Sequence, residues 1–233
     1  MLTSITALTM AALAAASPLA RRAPPPTRIA NGFNLVANVT GDKDFTPSIN
    51  NWKVAEWHTG AGLGRAGLFP NFGRTFYENG TADDVKYRHA SLVADAGLYP
   101  FGLQIDYSDP NAVLHAATLN IGSGSSNFML SDDREPFSFV DPLEYSGVPN
   151  SFLACNETIP DLHRPDEYHI TLNFLTGVYD GHYVLDVPDN CVTINLVPQC
   201  ATLEDLPAGA MASHEFAQDV HCYDDVSSVV WSD

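Results

Sequence analysis

The sequence predicts a mainly β protein, folded as a single-domain antiparallel sandwich or barrel. Short apolar runs recur every 10–18 residues, and turn-forming residues separate them. The 233 residues include 16 Gly and 16 Pro, which disfavour long helices. Twelve Phe, nine Tyr and three Trp are enough to fill an apolar interior. We therefore expect a closed or layered sheet around one core.

The predicted strands follow one another along the chain. The run 33–39 ends at Gly41-Asp42, and the run 51–57 alternates polar and apolar side chains. Residues 75–87 are expected to form a hairpin, because Asn79-Gly80 is a favourable two-residue turn. Further strands are predicted at 90–93, 101–107, 113–121, 137–140, 152–155, 169–174, 182–187 and 191–197.

Two short helices are expected near the C-terminus, at 201–206 and 212–222. Ser213 is a suitable N-cap for the second, and Phe216 and Val220 have the i, i+4 spacing of one helix face. No linker, repeat or change of composition divides residues 31–233. We therefore predict one β-rich domain over that range.

The first sixteen residues are typical of a signal peptide. They are apolar or small almost throughout, and Ala14 and Ala16 provide the small side chains that precede a cleavage point. Residues 17–30 are predicted to be a propeptide and proline-rich leader. The pair Arg21-Arg22 is either a processing site or two solvated arginines. No other apolar run is long enough to span a bilayer, so we expect no membrane span.

The charge balance argues against nucleic-acid binding. The chain has 11 Lys+Arg and 28 Asp+Glu, a formal charge of -17. A phosphate backbone is bound by clustered cations, which this composition does not favour. Charged residues make up only 17% of the chain and aromatic residues 10%, so the composition is not that of a disordered protein.

The cysteine count agrees with export. Cys155, Cys191, Cys200 and Cys222 form an even set, which in an oxidising compartment predicts two disulfides. Three connectivities are open. We favour Cys155–Cys191 with Cys200–Cys222, because both bridges close loops of moderate length.

Three acceptor sequons also agree with export to the cell surface, the extracellular space or the cell wall. They predict N-linked glycans on Asn38, Asn79 and Asn156.

Motifs for catalysis, cofactors and metals do not fit. The segment from Gly62 to Gly67 has the spacing of a dinucleotide-binding loop, but Pro70 and Gly73 would break the helix that this site needs. The histidine spacing does not match HExxH, and no GxSxG sequence is present. With 28 acidic residues, a carboxylate pair arises easily by chance. We therefore assign no catalytic residue, no cofactor and no metal ligand.

The candidate ligand-binding residues are Trp52, Trp57 and His58. His58 ends a predicted strand and enters a Gly-rich loop, where functional residues are common. It would contact a sugar beside Trp52 or Trp57. In the alternative, His58 bonds a neighbouring carbonyl group to fix the loop, and the tryptophans fill the core.

Seven segments carry a specific sequence pattern: 33–40, 47–52, 58–62, 73–82, 154–160, 198–201 and 213–225. Together they resemble an uncharacterised family of secreted filamentous-fungal proteins, known as a domain of unknown function. The loop after Gly62 departs from that family, in which a more apolar stretch follows directly. The resemblance implies no activity, cofactor or catalytic residue. A fainter likeness, through residues 152–156, is to phialide-associated fungal cell-wall proteins and implies wall association.

These observations favour a secreted fungal glycoprotein with a non-catalytic role, either structural or in interactions at the cell surface or outside the cell. Its expected partners are cell-wall polysaccharide or an extracellular protein. The alternatives are a carbohydrate-binding module for wall polysaccharide and a secreted hydrolase whose carboxylates the sequence does not locate.

Overall fold

A computed structural model describes residues 27–126, 128–131, 138–140 and 148–231. The fold is mainly β, with 50% of the described residues in strands and 6% in helices, which confirms the predicted class. The predicted signal peptide and most of the predicted leader lie outside the described residues. Among the residues described, no helix has the length and apolarity needed to cross a bilayer.

The strands in the first half of the chain are β1 Thr27–Ala30, β2 Gly32–Val39, β3 Lys53–Gly60, β4 Leu63–Phe69, β5 Thr75–Asn79, β6 Ser91–Asp95, β7 Pro100–Ile105 and β8 Leu114–Ile121. Those in the second half are β9 Met129–Ser131, β10 Ser138–Val140, β11 Asn150–Thr158, β12 Tyr168–Thr176, β13 Val178–Tyr179, β14 Tyr183–Val184, β15 Cys191–Ala201, β16 Ala217–Gln218 and β17 Val220–Tyr223. Helix α1 covers Ala82–Lys86, and short 3-10 turns cover Pro160–Leu162 and Val226–Ser228.

The main sheet closes into a nine-stranded antiparallel barrel. Its pairings run from β2 through β15, β11, β12, β4, β8, β7, β6 and β5 back to β2. The longest ladders are β11 with β12 and β15 with β2. Strand β3 pairs with both β2 and β4. Closure of the barrel pairs backbone N–H and C=O groups that an open sheet would leave without hydrogen bonds at its edges.

Side chains fill the interior of the barrel. Alternate residues of β2, including Phe33 and Leu35, point into the core, as do Leu172 and Phe174 of β12. Phe33 stacks on Phe139 with the ring centroids 4.9 Å apart. Each fully buried side chain of this size contributes roughly 1.5–3 kcal/mol to folding. The interior is therefore a packed core, and binding surfaces must lie on the outside or at the ends.

A C-terminal segment, residues 220–231, covers part of the outer surface. Its Tyr223 and Val226 pack on Val36 of β2 and Val197 of β15, and Trp231 packs against this cluster. The segment thus buries the outward side chains of two barrel strands.

Both predicted disulfides are present. Cys155 and Cys191 occupy opposed positions on β11 and β15. Cys200 of β15 is bonded to Cys222 of β17. The connectivity favoured from the sequence is confirmed.

The predicted hairpin at residues 75–87 is wrong. Strand β5 ends at Asn79, and Thr81 instead caps helix α1. The Thr81 hydroxyl accepts a hydrogen bond from the Asp84 amide at 3.2 Å, and the Thr81 amide donates to the Asp84 carboxylate at 2.7 Å. This capping box starts a helix where an Asn-Gly turn was expected. Strand β5 then pairs with β6, which follows α1 in the chain.

The two predicted C-terminal helices are also wrong. Strand β15 continues to Ala201, and the range 212–222 contains β16 and β17. Strand β17 pairs with β1, and its Cys222 is bonded to Cys200. These tertiary constraints outweigh a weak local helix pattern. Strand β1, at residues 27–30 of the predicted leader, is therefore part of the folded sheet.

Candidate functional site

A row of aromatic rings lies on the outer face of β3, β4 and β12. Trp57 packs between Phe69 and His169, with ring centroids 4.5 Å and 4.1 Å away. Phe72 meets Phe69 edge-on at 6.0 Å. We call Trp57, Phe69, Phe72 and His169 the aromatic row. The guanidinium of Arg74 lies 5.5 Å from the centre of the Phe72 ring and fixes one side of it.

A glycine on the central strand makes room for this row. A Cβ added to Gly67 would lie 2.6 Å from Nε1 of Trp57 and 2.7 Å from the Ile170 carbonyl oxygen. Both contacts are shorter than van der Waals packing allows. Gly67 thus lets the indole lie flat against the sheet, between its neighbours from β4 and β12.

A polar cluster adjoins the aromatic row on the same outer face. Arg65 donates hydrogen bonds to Glu157 Oε1 at 2.9 Å and to Asn173 Oδ1 at 2.7 Å. The Thr171 hydroxyl donates to the same Glu157 oxygen at 2.6 Å. The Arg65 side chain is 13% exposed, and burial lowers its pKa while the Glu157 carboxylate opposes that shift. We call Arg65, Glu157, Thr171 and Asn173 the Arg65 cluster.

Arg65 lies at the junction of three barrel strands, β4, β8 and β12, which we call the fork. Strand β12 pairs with β4 at Thr171 and with β8 at Asn173, while β4 pairs with β8 at Arg65 itself. At this junction the Arg65 guanidinium donates to the carbonyl oxygens of Ala117 and Leu172. One side chain therefore supplies donors to two strands and a carboxylate at once.

The three predicted ligand-binding residues do not form one site. Trp52 is half-buried and packs against the barrel core, whereas Trp57 belongs to the outer aromatic row. His58 is exposed on β3, and it points to the opposite face from Trp57 because the two are consecutive in a strand. The aromatic row and the Arg65 cluster include residues that sequence reasoning missed. The alternation Arg65, Gly67, Phe69 along β4 was the available signal for them.

The predicted glycan acceptors lie on three different strands. Asn38 is near the end of β2, Asn79 ends β5, and Asn156 is exposed on β11.

A separate cleft of about 360 Å³ lies beside α1. Its lining includes Glu78, Lys86, Asp219 and His221. The Glu78 side chain comes from β5 and is 3% exposed. Burial raises its pKa from 4.5 to about 7, because a carboxylate loses hydration there. A carboxyl group that titrates near neutrality at a cleft is suited to proton transfer.

Comparison with known proteins identifies the family. Residues 30–200 match a domain of unknown function, DUF7907. The chain belongs to this family. It is also 39% identical over 213 residues to the antigenic protein SchS34 of Stachybotrys chartarum, covering 90% of this chain and 93% of the relative. No solved structure matches. The resemblance to an uncharacterised fungal family is confirmed, and the DUF7907 region contains both the aromatic row and the Arg65 cluster.

Glu78 is expected to make this DUF7907 protein less stable as the pH rises. Between about pH 4.5 and 7 the unfolded chain loses the Glu78 proton while the folded chain keeps it. The contribution of Glu78 to the free energy of unfolding therefore falls by up to about 3 kcal/mol over this interval and stays constant above pH 7. Urea unfolding from pH 4 to 8 measures this change, and Glu78→Gln should remove it. The exposed control Glu204→Gln should keep the wild-type slope. An equal slope in both variants would contradict the assignment.

Proposed function

We propose that this protein is a secreted fungal glycoprotein with a non-catalytic role, which interacts with cell-wall polysaccharide outside the cell. Its N-terminal sequence, its sequons and its two disulfides, which are typical of oxidising compartments, support export. The description of the relative as an antigenic protein also agrees with export, since an exported protein is encountered outside the fungal cell.

The aromatic row beside the Arg65 cluster is the observation that carries the polysaccharide proposal. A pyranose ring has a C–H face that packs on aromatic rings and a rim of hydroxyl groups that forms hydrogen bonds. Phe72 is 50% exposed and provides an accessible ring next to half-buried Trp57 and Phe69. Partly exposed Glu157 provides an acceptor that Arg65 holds in place. Apolar surface with a few oriented polar groups is the usual composition of a small-ligand site.

Phe72→Ala is expected to weaken retention on wall polysaccharide at least about ten-fold, since a buried ring at a contact contributes about 1.5 kcal/mol or more. Pull-downs on chitin, β-glucan and mannan measure the effect. Phe216→Ala is the matched control, because Phe216 is 46% exposed and lies outside the aromatic row. Its retention should equal that of the wild type.

Two results would overturn the polysaccharide proposal. The wild type could fail to bind any of the three polymers, or Phe72→Ala and Phe216→Ala could bind equally well. Thermal unfolding of each variant separates a lost contact from a lost fold, since both residues are about half exposed and neither change should shift the midpoint by more than a few degrees.

A second candidate function is hydrolysis at the cleft beside α1. Glu78, with its pKa of about 7, would act as the general acid, and Asp219 on the same cleft would provide a second carboxyl group. The wild type should then release reducing sugars from one of the three polymers, and Glu78→Gln should abolish the release. A flat time course at several pH values would contradict this function.

A further inference from the structure

A second, larger cleft lies between the barrel and the C-terminal segment. Its volume is about 650 Å³, within the range of about 300–1,000 Å³ found for sites that hold small ligands. Loop residues after β2, Asn195 of β15, and Ser227 and Trp231 of the C-terminal segment form its walls. Four of its lining side chains are asparagines: Asn38, Asn50, Asn51 and Asn195.

Asn38 is the acceptor of the first sequon and is itself part of this cleft. It lies on the outward side of β2, directly opposite Asn195 on β15, and is 8% exposed. Within the described part of the chain, the side-chain amides of Asn38, Asn51 and Asn195 form no hydrogen bond. None of their side-chain polar atoms is both buried and without a partner, so these groups are open to solvent. Three amides therefore line one cavity with no protein partner among the described residues: Asn38 is nearly buried, Asn195 is half-buried and Asn51 is exposed, so all three are available to bond a ligand there.

We propose that the cleft holds the first sugars of the N-linked glycan attached to Asn38, and that this glycan joins the C-terminal segment to the barrel. The inference rests on the proposed export of the protein, which provides access to glycosylation. The Asn51 and Asn195 amides bond the hydroxyl and acetamido groups of the inner N-acetylglucosamine units. The indole of Trp231, held edge-on against Tyr223 at 5.4 Å, packs on a sugar face.

The attachment precedes folding, because Asn38 is nearly buried once β2 has paired with β15. The donor is an oligosaccharide carried on a lipid pyrophosphate. The Asn38 amide nitrogen forms a bond to the anomeric carbon of the sugar and loses one proton. The bond from that carbon to the pyrophosphate oxygen breaks, and the lipid pyrophosphate leaves. The folded barrel then closes around the inner sugars, while the outer sugars extend into solvent.

The experiment uses the full chain secreted from a fungal host and an endoglycosidase that cuts between the two inner N-acetylglucosamines. Mass spectrometry of glycopeptides follows release at each sequon from the folded protein. We expect release at Asn38 to be at least about ten-fold slower than at Asn79 and Asn156, since the enzyme needs the C-terminal segment to open. Release in denaturant should be equally fast at all three sites.

Trp231→Ala should bring release at Asn38 to the rate of the other two sites. Tyr168→Ala is the control, because it removes an exposed aromatic ring outside the cleft and should leave the Asn38 glycan protected. An unmodified Asn38 beside modified Asn79 and Asn156 would overturn this inference alone, as would equal release from the folded protein. If all three asparagines were unmodified, the proposal of a glycoprotein would fail as well.

Discussion

Arg65→Met is expected to lower the free energy of unfolding by about 3–5 kcal/mol. The substitution keeps an apolar stem of similar length but removes every donor. It leaves the Glu157 carboxylate without its cation, and the carbonyl oxygens of Ala117 and Leu172 without the guanidinium, at the fork of the barrel. Buried acceptors left without partners each cost roughly 1–3 kcal/mol. Urea unfolding at pH 7 measures the loss.

A second variant separates the ion pair from the backbone contacts. Arg65→Met combined with Glu157→Gln should recover part of the loss, because an uncharged amide is easier to bury than an unpaired carboxylate. The exposed pair of Arg164 and Glu167, with N–O distance 3.0 Å, provides the control, and Arg164→Met should change stability by less than about 1 kcal/mol. If Arg65→Met and Arg164→Met had equal effects, the central role of Arg65 at the fork would be disproved.

The fork shows why the sequence predicted individual strands but not the way in which they meet. Strand alternation is local, so the strands at 33–39 and 191–197 were predicted within a few residues of β2 and β15. The meeting of β4, β8 and β12 depends on residues up to 108 positions apart, as in the bond from Arg65 to Asn173. No local pattern encodes such a junction, and the role of Arg65 was therefore missed.

The two wrong predictions have different causes, one local and one long-range. Asn79-Gly80 is a strong turn signal, but Thr81 and Asp84 together form a helix-start signal that overrides it. Near the C-terminus, the spacing of Phe216 and Val220 indicates a helix, yet Phe216 lies in a turn and Val220 begins strand β17. Val220 instead enters the barrel core and pairs with β1, a long-range outcome that residue spacing does not reveal.

Removal of either disulfide is expected to destabilise the protein by about 3–4 kcal/mol, with different local consequences. The bridges link residues separated by 36 and 22 positions, so the chain-entropy model gives them similar contributions. Cys155 and Cys191 join strands that a ladder of hydrogen bonds already holds together. Their replacement by alanine should lower global stability and leave the folded barrel unchanged.

Cys200 and Cys222 hold a segment with fewer other attachments. Strand β17 meets β15 at one parallel pair, Gln199 with Tyr223, and otherwise pairs with the short edge strand β1. Alanine at both cysteines should therefore lower global stability and also speed hydrogen exchange over residues 220–231. The exchange is faster because the disulfide no longer restrains local opening of this segment. Urea unfolding and exchange mass spectrometry of the two double variants distinguish these outcomes. Unchanged exchange in the C-terminal segment without Cys200–Cys222 would mean that the packing of Tyr223 and Val226 on the barrel is sufficient to hold it.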